Sequence, residues 1–134
     1  MGVDVVDIMS GESPKLSRCT VVRKGQGYDI ARREAYDYKH LAFTFRNKKA
    51  EPFMVTIEGK SGGNGGKMGI NEPIKHSHGG QEFNYVVSGG IKFYLENEVY
   101  ELSEGDSIYF DSGLAHAMQA MGGEPAKFLA VVMK

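Results

Sequence analysis

The chain has one cysteine, Cys19, in 134 residues, so no disulfide can form within it. Tryptophan is absent and proline occurs four times, so aromatic packing rests on seven Tyr and seven Phe. Long hydrophobic runs are also missing. No stretch approaches the ~20 apolar residues that a membrane helix requires. Residues Met1 to Ile8 carry Asp4 and Asp7 and lack the basic start and apolar run of a secretory signal. With the lone cysteine, this reads as a cytoplasmic protein without a membrane partner. A large charge of one sign is the last absence. The net charge of -1 gives no global field for nucleic acid or a membrane surface.

What is present is ordinary for a globular protein, with 41% hydrophobic and 25% charged residues. The length predicts one domain, 1–134, with residues 1–18 as an N-terminal arm. The charges are unevenly placed. Lys15 to Lys49 holds ten Lys or Arg against three Asp or Glu, while Glu96 to Asp111 holds six acidic residues and no basic one. Solvated outer faces of strands account for this most simply; a patch for an acidic partner and contact between basic and acidic segments of two subunits are the other readings.

Helical periodicity is poor. Short alternating or apolar runs bounded by Gly, Asn, Asp and Pro predict an all-β chain. Strands are expected at Cys19–Arg23, Tyr28–Arg32, His40–Arg46, Phe53–Glu58, Ile74–His78, Glu82–Val87, Ile91–Leu95, Val99–Leu102, Ser107–Phe110, His116–Ala120 and Lys127–Val132. Turns are expected at Ser88-Gly89-Gly90, Glu96-Asn97-Glu98, Glu104-Gly105-Asp106 and Asp111-Ser112-Gly113. Such spacing fits a sandwich or barrel. Within Glu82–Val87, period-two alternation puts Glu82, Asn84 and Val86 on one face and Phe83, Tyr85 and Val87 on the other. Both faces are apolar enough to predict cover on both sides, by a sheet or a second subunit. The run Ser61 to Gly66 reads as a mobile hairpin tip. It is not a phosphate loop, because Ser61 stands where that motif needs Gly and Met68 where it needs Ser or Thr.

Three of the four histidines form the sharpest pattern: His76-Ser77-His78, then Glu82, then His116. In an extended strand His76 and His78 point to one side. Gly79-Gly80-Gln81 allows a turn that returns the carboxylate of Glu82 to the same point, and a later strand can bring His116. Neutral imidazole and carboxylate suit Fe, Mn, Ni, Cu or Zn alike. Three His and one Glu leave up to two positions of an octahedron for water or substrate, the mark of a working metal rather than a structural one.

The run Gly69…His76-Ser77-His78-Gly79-Gly80-Gln81-Glu82…Gly89 resembles the first motif of the cupin superfamily. Gly105-Asp-Ser-Ile-Tyr-Phe-Asp-Ser-Gly113-Leu-Ala-His116 resembles the second. The resemblance implies a double-stranded β-helix, or jelly-roll barrel, with one divalent transition metal held inside by His76, His78, Glu82 and His116. The motif core spans about 69–120. Three positions depart from the pattern: six residues rather than five separate Gly69 from His76, Asp111 replaces a Pro, and Ala120 replaces an Asn. None removes a ligand. A weaker resemblance links the second motif, and the Tyr- and Arg-rich region before Leu41, to the sensor cupins of helix-turn-helix regulators. The residues before Cys19 are too few for such a DNA-binding unit, so no nucleic-acid partner is expected. The family also implies a homodimer.

Asn84 and Met118 share inward parity with Glu82 and His116 and are expected in the wall near the metal. Arg32 and Gln81 are expected to meet an anionic ligand at the barrel mouth, Arg32 through a bidentate carboxylate contact; a surface salt bridge is the plainer role for Arg32. Tyr28, Tyr36 and Tyr38 fit either the pocket or the core, and His40 fits a structural place. The expected function is metal-dependent binding of a small polar or anionic organic molecule, as in a ligand sensor. The alternative is a dioxygenase, isomerase or lyase acting on a small organic acid. An enzyme should add an acid or base near the metal; no unassigned residue clearly fills that role, and Tyr109, which is also a candidate for the ligand pocket, and His40 are the best available.

Overall fold

The computed structural model describes residues 18–33, 36–59 and 73–134. They form nine strands: β1 (Tyr28–Arg33), β2 (Tyr36–His40), β3 (Ala50–Ile57), β4 (Gln81–Ser88), β5 (Ile91–Leu95), β6 (Glu98–Leu102), β7 (Ser107–Asp111), β8 (His116–Ala120) and β9 (Ala126–Met133). The strands make two sheets, a six-stranded one in the order β1-β2-β3-β9-β4-β7 and a three-stranded one in the order β6-β5-β8. Every pairing within them is antiparallel. The architecture is all-β, a jelly-roll barrel. No helix among the described residues is long and apolar enough to cross a membrane.

Alternation decides what lies between the sheets. In β4, Glu82, Asn84 and Val86 are buried while Gln81, Tyr85 and Val87 are exposed. In β9, Ala126, Phe128 and Ala130 are buried by the same rule. Val55, Ile57, Val86 and Phe128 of the large sheet pack with Ile91 of the small one. Each such side chain contributes on the order of 1.5–3 kcal/mol by leaving water. The turn after β4 depends on Gly89, whose φ is +79°. A Cβ there would stand 2.6 Å from the Pro125 carbonyl oxygen.

Several expectations are corrected. Cys19–Arg23 is not a strand. The Gln26 amide bonds to the Arg23 carbonyl (2.9 Å), which turns the chain before β1. The strand expected at His40–Arg46 is instead Tyr36–His40. Its Tyr-Asp-Tyr-Lys alternation supplies a two-faced strand, and Leu41 onward turns away, with the Phe45 amide on the Ala42 carbonyl (3.1 Å). The apolar Phe43 in that turn stacks on Tyr28 at 4.0 Å. Ile74–His78 is pinned at a single bridge, His76 to His116, rather than along a strand. On the outer face of β4, Tyr85 is 42% and Val87 40% exposed, so among the described residues no second sheet covers it, and the expectation of cover by a second subunit stands as it was. The expected arm, apart from Arg18, and the glycine run 61–66 lie outside the described residues.

Candidate metal centre

Each ligand candidate is carried by a different piece of the barrel. Glu82 is the second residue of β4, on its inward face, and is 6% exposed. His78 precedes Gly79-Gly80. Its amide donates to the Ser112 carbonyl (2.9 Å), and the Ser112 amide returns to the Gly80 carbonyl (3.0 Å). That pair of bonds clips the histidine loop to the turn after β7. Gly80 permits the approach through its φ of +93°, where a Cβ would overlap the Met133 carbonyl oxygen. His116 opens β8. It exchanges both backbone hydrogen bonds with His76 (2.9 and 3.0 Å) and pairs with Leu95 of β5.

One donor atom from each of His78, Glu82 and His116 lies within 4.8 Å of the others. His78 Nε2 stands 3.3 Å from Glu82 Oε1. The histidine rings are oriented by backbone carbonyls. His116 Nδ1 faces the Leu114 oxygen at 2.8 Å, and His78 Nδ1 faces the Gly79 oxygen at 3.2 Å. A proton on each Nδ1 satisfies those carbonyls and leaves each Nε2 lone pair free for a cation. Asn84, with its amide turned to donate, gives bonds to Glu82 Oε2 (2.9 Å) and to the Phe83 carbonyl (3.1 Å). The His116 ring lies against Phe110 (4.8 Å, tilted 62°) and parallel to Phe93 (6.4 Å, 3°).

The electrostatics follow from burial. Desolvation raises the pKa of Glu82 above the usual carboxylate value, and the His78 charge, its hydrogen bond and that of Asn84 counteract only part of this. Burial is also the main influence on His116 and lowers its pKa; the Leu114 carbonyl opposes this, and His78 and His76 add to it. His116 is therefore held neutral, as a ligand must be. A divalent cation would relieve the buried carboxylate and use both lone pairs, so the donor set fits a first-row metal.

The four expected ligands divide. His78, Glu82 and His116 converge; His76 is exposed, lines the same cavity and is joined to His116 through the backbone. The cavity measures about 440 Å³ and is lined by residues of both sheets, Met118 among them as expected. Asn84 is buried beside Glu82 and acts on that carboxylate rather than on the cavity wall.

Gln81 and Tyr109 are not among the residues lining this cavity. They lie one position out of phase with Glu82 and Phe110, on the exposed face, where the Tyr109 hydroxyl donates to Gln81 Oε1 at 2.5 Å. Arg32 sits in β1 opposite Asp37 in register, and its side chain lies outside the described residues. His40 is structural. Its Nδ1 accepts the Ala42 amide (2.9 Å), so Nε2 carries the proton and donates to Glu51 (2.6 Å). Tyr36 and Tyr38 line the cavity, with the Tyr36 hydroxyl donating to the Met118 carbonyl. Phe53, Phe128, Ala130 and Val132 were not anticipated in the wall. The alternation of β9 could have revealed the last three.

The family model for the Cupin domain matches residues 67–132. No curated protein matches the sequence. Among solved structures, hydroxypropylphosphonic acid epoxidase from S. wedmorenis is similar at 21% identity and a TM-score of 0.68, over 85% of this chain and 59% of that one. An HTH_3 family transcriptional regulator from Vibrio cholerae is similar at 22% identity and 0.57, over 75% and 51%. A sugar phosphate isomerase of the cupin superfamily from Silicibacter pomeroyi is similar at 20% identity and 0.57, over 75% and 60%. Fe(II) and Co(II) forms of HppE also match at 21% identity, with TM-scores of 0.68 and 0.60. The chain spans between half and three-fifths of the length of these solved chains. Both sequence motifs fall inside the matched residues and the two-sheet barrel is shared with solved cupins: the chain belongs to the cupin superfamily.

Proposed function

We propose that this cupin binds one divalent first-row metal through His78, Glu82 and His116, with His76 supplying a fourth imidazole, and uses it to hold a small organic ligand by a polar head. The observation that carries this reading is the convergence of three donor atoms within 4.8 Å on a cavity large enough for a ligand. When bound, the metal supplies a Lewis acid for an oxygen of that ligand. The chain's own contributions are orientation and exclusion of water. Leu114 and Gly79 carbonyls fix the rings, Asn84 steadies the carboxylate, and Phe93 and Phe110 shield His116.

Binding without turnover is favoured over catalysis by the residues that line the cavity. Apart from the metal candidates, the described lining offers only the two tyrosines as proton donors or acceptors, and the Tyr36 hydroxyl is engaged with Met118. The metal-enzyme reading draws on one feature: the cavity leads directly to the ligand cluster, so a metal there keeps positions open to a substrate. The likeness to HppE and to the isomerase supports the fold these chemistries use and leaves the reaction to experiment.

The deciding measurement is metal content of protein purified without added metal, followed by calorimetric titration of the metal-free form with Mn²⁺, Fe²⁺, Ni²⁺ and Zn²⁺. One equivalent should bind, and His116→Ala and His78→Ala should each abolish it. His76→Ala should weaken it. Retention of full affinity by His116→Ala would refute the site. Conversion of a small organic acid by the loaded protein would decide for the enzyme.

A further inference from the structure

The chemistry of the cavity wall is sharply divided. Every described residue lining it that can carry a charge near neutral pH (His76, His78, Glu82 and His116) belongs to the metal cluster or adjoins it. Apart from the Tyr36 and Tyr38 hydroxyls, the rest is hydrocarbon and ring surface, including Phe53, Val55, Phe128, Ala130 and Val132 from the large sheet and Met118 of β8. No Lys, Arg, Asp, Asn or Gln is among the described lining residues. The Tyr36 hydroxyl is turned to a backbone carbonyl.

From this division we infer that the ligand is amphipathic: one oxygen-bearing head at the metal cluster, and an alkyl or aryl body along the Phe53–Phe128–Met118 wall. The inference rests on the proposed metal reading for the head, while the body is argued from the wall alone. At ~30 Å³ for a water-sized group, a cavity of about 440 Å³ has room for roughly fifteen non-hydrogen atoms. Each methylene buried against such a wall should tighten binding roughly fourfold. A second charge or polyhydroxyl chain in the same place would lose its water and meet no polar side chain among the described residues but Tyr36 and Tyr38. A small dicarboxylate or a sugar phosphate is therefore a poor occupant, and a branched or aromatic monocarboxylate a good one.

The test is a ligand series on the Zn²⁺-loaded protein, read by calorimetry and by the ¹³C-methyl signal of Met118. The probes are the n-alkyl carboxylates from acetate to octanoate and the dicarboxylates of matching length. Affinity should rise roughly fourfold per methylene until the cavity is filled. The dicarboxylates should bind at least about tenfold more weakly than their monocarboxylate counterparts. Met118→Gln, nearly the same size, should flatten the chain-length slope in calorimetry. A flat series, or tighter binding of dicarboxylates, would overturn the inference.

Failure of the metal reading is separable from failure of this one. If the protein takes up no metal, the alcohols from ethanol to octanol are titrated into the metal-free chain and followed at the same methyl signal. A rise with chain length upholds the apolar body, and its absence overturns it.

Discussion

Replacing Glu82 by Gln keeps the shape of a buried side chain and removes its charge. The geometry accepts the change. A Gln nitrogen in the place of Oε1 can donate to the His78 Nε2 lone pair 3.3 Å away, and its oxygen can accept from Asn84 in the place of Oε2. What disappears is the cost of holding a carboxylate out of water, which raises the pKa of Glu82 in the fold. The sign follows from linkage. A carboxyl with a raised folded pKa contributes stability that is complete below its unfolded value of 4.5 and is lost as the pH rises through the folded value. The metal-free Gln variant should thus match the parent near pH 4 and melt above it at pH 7.5. With metal the order reverses. A cation at one hundred times its dissociation constant stabilises the parent by about 2.7 kcal/mol. For a chain of this size that is roughly 10 °C in Tm, and the variant should gain none of it. Circular-dichroism melts at the two pH values, after chelation and after addition of Zn²⁺, give all four comparisons. A metal-free variant that melts below the parent at pH 7.5, or a difference that does not close toward pH 4, would refute the reasoning.

Phe93 has no exposed surface, and the change to Ala should cost about 3–5 kcal/mol in denaturant unfolding; Phe93→Leu should keep the fold but loosen His116, weakening metal binding by about 10- to 100-fold in calorimetry. Gly80→Ala should lose roughly 1–3 kcal/mol, because its φ is +93° and Met133 fills the place of a Cβ. Its neighbour Gly79 meets nothing within 4 Å, so Gly79→Ala should stay within about 0.5 kcal/mol on the same unfolding curve. Tyr109→Phe should leave metal affinity unchanged by titration, since the hydroxyl it removes bonds Gln81 on the outer face.

The convergence of the candidate ligands was legible because strand and turn geometry over a few residues governs it. The pair His78 and Glu82 needs only a turn between them, and the alternation of β4 places Glu82 inward without help from the rest of the chain. The same alternation puts Gln81 outward, because one step along a strand exchanges the two faces. Tyr109 faces outward by the same rule on β7. The strand Tyr36–His40 was missed because its apolar positions are tyrosines interleaved with Asp37 and Lys39, while the following Leu41-Ala42-Phe43 offered a stronger hydrophobic signal that packing spends on a turn. The cavity wall was least legible. It joins side chains of β2, β3, β8 and β9, and sheet order, not local sequence, makes them neighbours.

The histidine loop hangs on the barrel by four backbone bonds, two between His76 and His116 and two between the His78–Gly80 segment and Ser112. The amides of His76, His78, Ser112 and His116 are the donors in those bonds, so the loop's opening and the scattering of the ligands are one event. A cation held by these ligands would then slow the rate at which four main-chain hydrogens trade with deuterium, and could be followed there even if it has no colour or spin.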